Sequence, residues 1–171
     1  MIHLNIGSNL DSKFGTKYKN ISIAVDLLLN SKIKVEKISN FYTTPSYPDN
    51  NLPKFINIGL LIKCNYTHSE LLKKTSLIEK KIGRIKTKKN DPRVCDIDII
   101  DFNGLVIKSN LLNLPHPRCH LRNFVLYPIK EIDPSWSHPI LHKNIDFLID
   151  DLSPKSRIEI TRLRKSVIIK R

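Results

Sequence analysis

Eight residues, Arg93-Val94-Cys95-Asp96-Ile97-Asp98-Ile99-Ile100, limit most sharply what this chain can fold into. Their second half alternates carboxylate with isoleucine. That period of two is the period of a β-strand, in which residues i and i+2 share a face. Asp96 and Asp98 then point one way, and Ile97 and Ile99 point the other way, into a core. Two acids a pleat apart repel each other unless a cation sits between them. Mg²⁺ is the usual cation where phosphate is also near. Lys80, Lys81, Arg84, Lys86, Lys88, Lys89 and Arg93 stand just upstream. Bases that grip phosphate oxygens, with metal neutralising the rest, suit a polyphosphate. The plainer alternative is a solvated Asp-x-Asp on an edge strand.

A length of 171 residues fits one domain, 1–171, large enough to bury a core without disulfide or metal staples. Cys64, Cys95 and Cys119 are odd in number and lack C-x-x-C spacing, which argues against a disulfide framework or zinc knuckle and for a reducing, cytoplasmic setting. Residues 1–6 lack a basic n-region and a long apolar run, so no signal peptide is expected, and no stretch approaches a membrane span. The net charge of +13 is compatible with nucleic acid, an anionic substrate or an anionic surface, or with lysine-rich composition alone. The clustered bases at 80–93 are the part that asks for a ligand.

Ile2, Leu4 and Ile6 alternate with His3 and Asn5 and predict a strand running into a turn at Gly7-Ser8-Asn9, where a glycine permits close approach. Tyr18, Ile21, Val25, Leu28 and Leu29 predict a helix over about 17–30. A second strand begins at Ile33 and continues to Phe41-Tyr42. The proline-rich stretch 43–53 reads as a long loop. Phe55 to Ile62 is a strand whose odd face carries Phe55, Asn57 and Gly59, a combination suited to a flat heterocycle. Thr67-His68-Ser69-Glu70 is a capping box opening a helix that Gly83 stops. Residues 84–93 read as a cationic loop. Asn103-Gly104 predicts a hairpin that returns Leu105-Val106-Ile107 antiparallel to the acid-pair strand. His116 is held between Pro115 and Pro117 in a stiff, extended segment with Arg118 and Arg122 nearby. Ile145, Leu148 and Ile149 suggest a short helix. The basic tail, 155–171, is either an edge strand or loose chain.

Several of these segments, in order, resemble the 6-hydroxymethyl-7,8-dihydropterin pyrophosphokinase family. They are Ile6-Gly7-Ser8-Asn9-Leu10; Phe41-Tyr42-Thr43-Thr44-Pro45; Phe55-Ile56-Asn57; Glu79 with Gly83-Arg84; Pro92-Arg93 through Asp96-Ile97-Asp98-Ile99; and Pro115-His116 with Arg122-Asn123-Phe124 through Pro128-Ile129. Together they cover about residues 2–152. The chain departs from the pattern at Lys89-Asn90-Asp91, where the family carries Arg-Trp-Gly. It departs again at Lys86, where arginine is common, and at Phe55, where tyrosine is common.

The resemblance implies an α+β, ferredoxin-like fold: a mainly antiparallel sheet with helices packed on its faces, plus C-terminal additions. It implies transfer of pyrophosphate from ATP to the hydroxymethyl oxygen of the pterin, with release of AMP, on the way to folate. Asp96 and Asp98 would hold two Mg²⁺ ions. Arg84 and Arg93 would serve catalysis and, with Glu79, Lys86, Ile99, His116 and Arg122, the nucleotide. Thr44, Pro45, Phe55, Asn57 and Phe124 would hold the pterin, the two rings stacking on it. The expected partners are ATP and the pterin, without nucleic acid or membrane, and the expected state is a monomer. Two other readings stay open: a basic ferredoxin-like module binding RNA through a stacking Phe55, and a family member that binds without turnover.

Overall fold

The computed structural model describes residues 1–47, 49–85 and 91–169. The elements run β1 (Ile2–Ser8), α1 (Lys17–Asn30), β2 (Lys34–Ile38), β3 (Asn40–Thr44), β4 (Phe55–Lys63), α2 (His68–Ile82), β5 (Asp96–Phe102), β6 (Ile107–Lys108) and β7 (Asn113–Leu114). A 3₁₀ turn at Cys119–Leu121, α3 (Asn123–Ile132), α4 (Ile145–Asp150), α5 (Pro154–Ile158) and β8 (Thr161–Ser166) complete the order. The main sheet has the order β5-β1-β4-β3-β8, with β2 also on β4, and its pairings are antiparallel.

Local sequence accounts for most of this. Thr16 caps α1 by accepting from the Lys19 amide. The capping box of α2 forms at Thr67 and Glu70, and Gly83 closes that helix at φ 106°, where a side chain would be strained. The strand expected from Ile33 to Tyr42 follows one path along β4 but kinks at Ser39. There the hydroxyl accepts from the Gly59 amide at 2.9 Å, and the Ser39 amide donates to the Gly59 carbonyl at 3.0 Å.

The sheet has two unlike faces. Leu4 and Ile6 of β1, Ile56, Ile58, Leu60 and Ile62 of β4, and Ile97 and Ile99 of β5 pack with α1 and α2 into the larger core. On the opposite face α3 lies against β4, and Gly59 is the reason it can come so close. A Cβ there would stand 2.9 Å from Pro128 Cβ. Around α3, Val125, Leu126 and Ile129 join Trp136 and the apolar residues of α4 in a second cluster. Ile100 belongs to this second cluster by the same alternation that puts Asp96 and Asp98 on that face, and a bulge follows: Leu4 pairs with Ile99 but His3 pairs with Asp101, so Asp101 also meets Trp136 on the second face while Phe102 returns to the larger core.

The expected hairpin is corrected. The Asn103-Gly104 turn forms, with φ of 54° and 72°, but the returning residues do not pair with β5. Leu105 and Val106 stay largely exposed, and β6 pairs with β7 in a separate two-stranded sheet. The outer side of β5 is met instead by the His116 amide, which donates to the Ile100 carbonyl at 2.8 Å. With only Ile107 apolar and buried enough to anchor it before Lys108-Ser109-Asn110, the return has little to hold it on the sheet. The tail takes the first of its two expected forms: β8 pairs with β3 and ends the sheet.

Candidate active site

The part of the second face that α3 leaves uncovered is a cleft of about 860 Å³. Its floor is the register of three strands. Gly7 lies between Asn57 on β4 and Asp96 on β5, and Asn5 lies between Gly59 and Asp98. The alternation Asp-Ile-Asp-Ile thus delivers both carboxylates to the cleft and both isoleucines to the core. Gly7 leaves room for Asn57, since a Cβ would come within 2.7 Å of Asn57 Oδ1.

Cations surround the acids. Arg84 Nη1 donates to Asp96 Oδ1 at 2.6 Å and also pairs with Glu79. Arg93 Nη1 donates to Asp96 Oδ2 at 2.9 Å. Arg122 Nη1 reaches Asp98 Oδ2 at 3.3 Å, with His116 Nε2 4.0 Å from the same oxygen. The loop bearing Arg93 is pinned to the end of β1: the Arg93 amide donates to Asn9 Oδ1 at 2.7 Å, and the Asn9 amide donates to the Arg93 carbonyl at 3.1 Å.

At the other end, Phe55, Asn57, Thr44 and Pro45 face Phe124 across the cleft. The Asn57 amide nitrogen lies 3.4 Å from Thr44 Oγ1. The Arg122 guanidinium stands 5.4 Å from the Phe124 ring centre and links the cationic end to the aromatic end. With its amide turned so that nitrogen faces carbonyls, Asn5 donates to Phe124 O at 2.9 Å and Ile58 O at 3.2 Å, tying the start of α3 to the sheet.

The electrostatics follow from crowding. Asp98 opens to the cleft but is ringed by protein, and this burial, with the charge of Asp96, pushes its carboxyl up to about 6. Burial raises Glu79 to about 7, although it accepts the Ile97 amide at 2.7 Å and meets Arg84. Burial and then the nearby Arg122 and Arg118 lower His116 to about 4, so at neutral pH it offers an uncharged ring. Two carboxylates a pleat apart in one cleft are an oxygen-only donor set, the kind a hard divalent cation takes.

Of the residues named from sequence, Thr44, Pro45, Phe55, Asn57, Arg84, Arg93, Asp96, Asp98, His116, Arg122 and Phe124 all line this cleft. Glu79 lies behind it, supporting Arg84. The Ile99 side chain is in the core, which leaves its peptide groups for any nucleotide contact. Lys86 and Asn90 lie outside the described residues. Sequence reasoning missed the α5 region, where Ser153, Lys155, Ser156 and Glu159 form a further wall. No spacing signals it, because chain-distant contacts bring it there.

A second group of ligating atoms, on Cys119, His120 and His138, does not make a metal centre. His138 Nδ1 accepts from the Ile140 and Leu141 amides, both at 3.2 Å. In the neutral ring the other nitrogen therefore keeps its proton and has no lone pair to give.

Paired acids, guanidinium groups and facing rings thus meet in one cleft. The family model of 7,8-dihydro-6-hydroxymethylpterin-pyrophosphokinase (HPPK) matches residues 3–134, and the chain belongs to that family. It is 35% identical over 142 residues to 2-amino-4-hydroxy-6-hydroxymethyldihydropteridine pyrophosphokinase of Aquifex aeolicus, covering 83% of this chain and 86% of that protein. It is 38% identical over 149 residues to the folic acid synthesis protein FOL1 of Dictyostelium discoideum, covering 83% of this chain but only 21% of that longer protein. Its backbone is similar to the crystal structure of Plasmodium falciparum HPPK-DHPS, with a TM-score of 0.70 and 16% identity, over 94% of this chain and 47% of that one.

Proposed function

We propose that this chain transfers the pyrophosphoryl group of ATP to the hydroxymethyl oxygen of 6-hydroxymethyl-7,8-dihydropterin, releasing AMP, as a step of folate biosynthesis. The observation that carries this reading is the meeting of the acid pair, three arginines and two facing rings in one cleft. The alternation of β1, α1, the β2–β3 path, β4, α2 and β5, with β1 and β4 central, fits the ferredoxin-like plan. The reading includes a single domain over 1–171, a monomer and a cytoplasmic location. Among the described residues no helix is long and apolar enough to cross a membrane.

Phosphoryl-type transfer asks little covalent chemistry of a protein, so positioning and charge dominate. Phe55 and Phe124 stack on the flat pterin, and Asn57, with a donor and an acceptor, reads its edge beside Thr44 and Pro45. Arg84, Arg93 and Arg122 present forks to the phosphate oxygens, and uncharged His116 adds a single ring contact. Glu79 orients Arg84 through their ion pair. Asp96 and Asp98 would hold two Mg²⁺ ions, which would supply charge neutralisation and activation of the attacking alcohol. The RNA-binding alternative fares poorly because Asp96 and Asp98 share the cleft with Phe55 and would repel a phosphodiester backbone.

Incubation with ATP, Mg²⁺ and the hydroxymethyl pterin tests the proposal. AMP release that needs all three is expected. Nucleotide binding without AMP would instead mark a family member that binds but does not turn over.

A further inference from the structure

The family match ends at residue 134, yet the cleft is finished by residues beyond it. Ser153, Lys155, Ser156 and Glu159 line the cleft beside Phe124, and the last two side-chain charges, Lys155 and Glu159, pair across a turn at 3.5 Å. Beside the packing of Leu152 into the second cluster, a buried amide ties this segment to α3. Asn123, 8% exposed, donates from Nδ2 to the Ser156 carbonyl at 2.6 Å, while its Oδ1 accepts from the Phe124 amide at 2.6 Å. Farther along, Glu131 of α3 accepts from Arg162 of β8 at 3.0 Å and from Tyr42 of β3 at 2.7 Å. The tail is therefore fastened at both ends of α3, at Asn123 beside the cleft and at Glu131 away from it.

We propose that Asn123 is a positioning residue for the pterin: it clamps the α5 segment against the start of α3 and thereby fixes the Phe124 ring and the outer wall of the pterin end. This rests on the assignment of Phe55, Asn57 and Phe124 to the pterin made above. The geometry supports it in a specific way. Phe124 has Asn5 on its carbonyl, Asn123 on its amide and Arg122 over its ring, so its backbone is held from the sheet and from the tail at once. Loss of the tail contact frees one of these holds without touching the acid pair.

The two bonds of Asn123 can be separated. Asn123→Asp keeps an oxygen for the Phe124 amide but turns a second oxygen toward the Ser156 carbonyl, which repels it. Asn123→Ala removes both bonds. The expected result for both variants, assayed with ATP, Mg²⁺ and the pterin, is a KM for the pterin raised about tenfold, the size of one lost hydrogen bond. For Asn123→Ala, which adds no charge beside Arg122, the KM for ATP is expected to stay within about twofold. Arg162→Ala, which loosens β8 at a site away from the cleft, is expected to move the pterin KM in the same direction by a smaller factor.

Thermal melts show whether each variant is folded, and Asn123→Asp, which is nearly isosteric, serves if Asn123→Ala does not fold. Phe124→Ala is the reference. If it raises the pterin KM and Asn123→Asp does not, the clamp is overturned while the pterin site stands. If Phe124→Ala leaves the pterin KM unchanged, the pterin assignment itself fails. Equal rises in both KM values would mean a general structural role and would also overturn the proposal.

Discussion

Asp98 carries two opposed demands. The proposed metal role requires its charge in the cleft, yet burial and Asp96 both work against that charge and raise its carboxyl to about 6. Asp98→Ala should therefore cut AMP release by about a thousandfold while leaving the thermal midpoint unchanged or higher, since a like-charge neighbour is gone. Turnover at the parent rate would remove the metal role. His3 gives a prediction of another kind. Its ring is 2% exposed, with Nε2 2.9 Å from Asp133 Oδ2, and burial lowers its pKa even though Asp133 and Asp101 pull it up. The unfolded chain protonates this ring near pH 6.5, whereas the folded chain resists until lower pH. Stability due to His3 is thus lost as pH falls below about 6.5, by up to about 1.4 kcal/mol per pH unit. Asp98 and Glu79 act in the opposite sense, because the folded state keeps protons there that the unfolded chain releases. The test is consequently the difference between parent and His3→Gln urea midpoints, which should shrink from pH 7.5 to pH 5.5. A constant difference would mean that the ring titrates alike in both states.

Helix α3 carries Arg122 at its N-cap and Phe124 in its first turn, so its seat on β4 sets both ends of the cleft. Gly59→Ala would drive a methyl to 2.9 Å from Pro128 Cβ and 3.2 Å from the Pro128 carbonyl carbon, a rigid neighbour. We expect a loss of about 1–3 kcal/mol in urea unfolding together with weaker pterin binding by fluorescence. Unchanged stability would mean that α3 can slide on the sheet. The elements with clean periodicity, β1, α1, β4, α2 and β5, are readable from the chain because each alternates or repeats over at least seven residues. The shared face of Asp96 and Asp98 is readable in the same way, whereas the arginines and Phe124 are brought to it only by the family resemblance. The bulge at Ile100 is not readable, because it depends on how β5 meets β1. The two-stranded β6–β7 sheet and the α5 wall escape for the same reason. The chemistry that decides them, the His116 amide on Ile100 and the Asn123 amide on Ser156, lies far along the chain. Strand β8 has one half-buried apolar residue, Leu163, and is placed mainly by its pairing with β3 and by Glu131.

Taken whole, the molecule buries two apolar clusters on opposite faces of one sheet, and the open cleft lies beside the smaller. A ligand that fills the cleft stabilises the sheet and α3 together. ATP with Mg²⁺ at about a hundred times its Kd should add about 2.7 kcal/mol to the folded state, seen as a rise in melting temperature that single-stranded RNA does not reproduce. An equal rise with RNA would favour the nucleic-acid reading of the +13 charge. The position of β8 has one more effect. It puts β8 at the rim of the sheet, where Arg162 is paired with Glu131 while Arg164 and Lys165 are exposed and repel a second copy equally rich in positive charge. Neutralising Arg164 and Lys165 is therefore expected to raise light scattering as concentration rises, and unchanged scattering would mean that this rim takes no part in association.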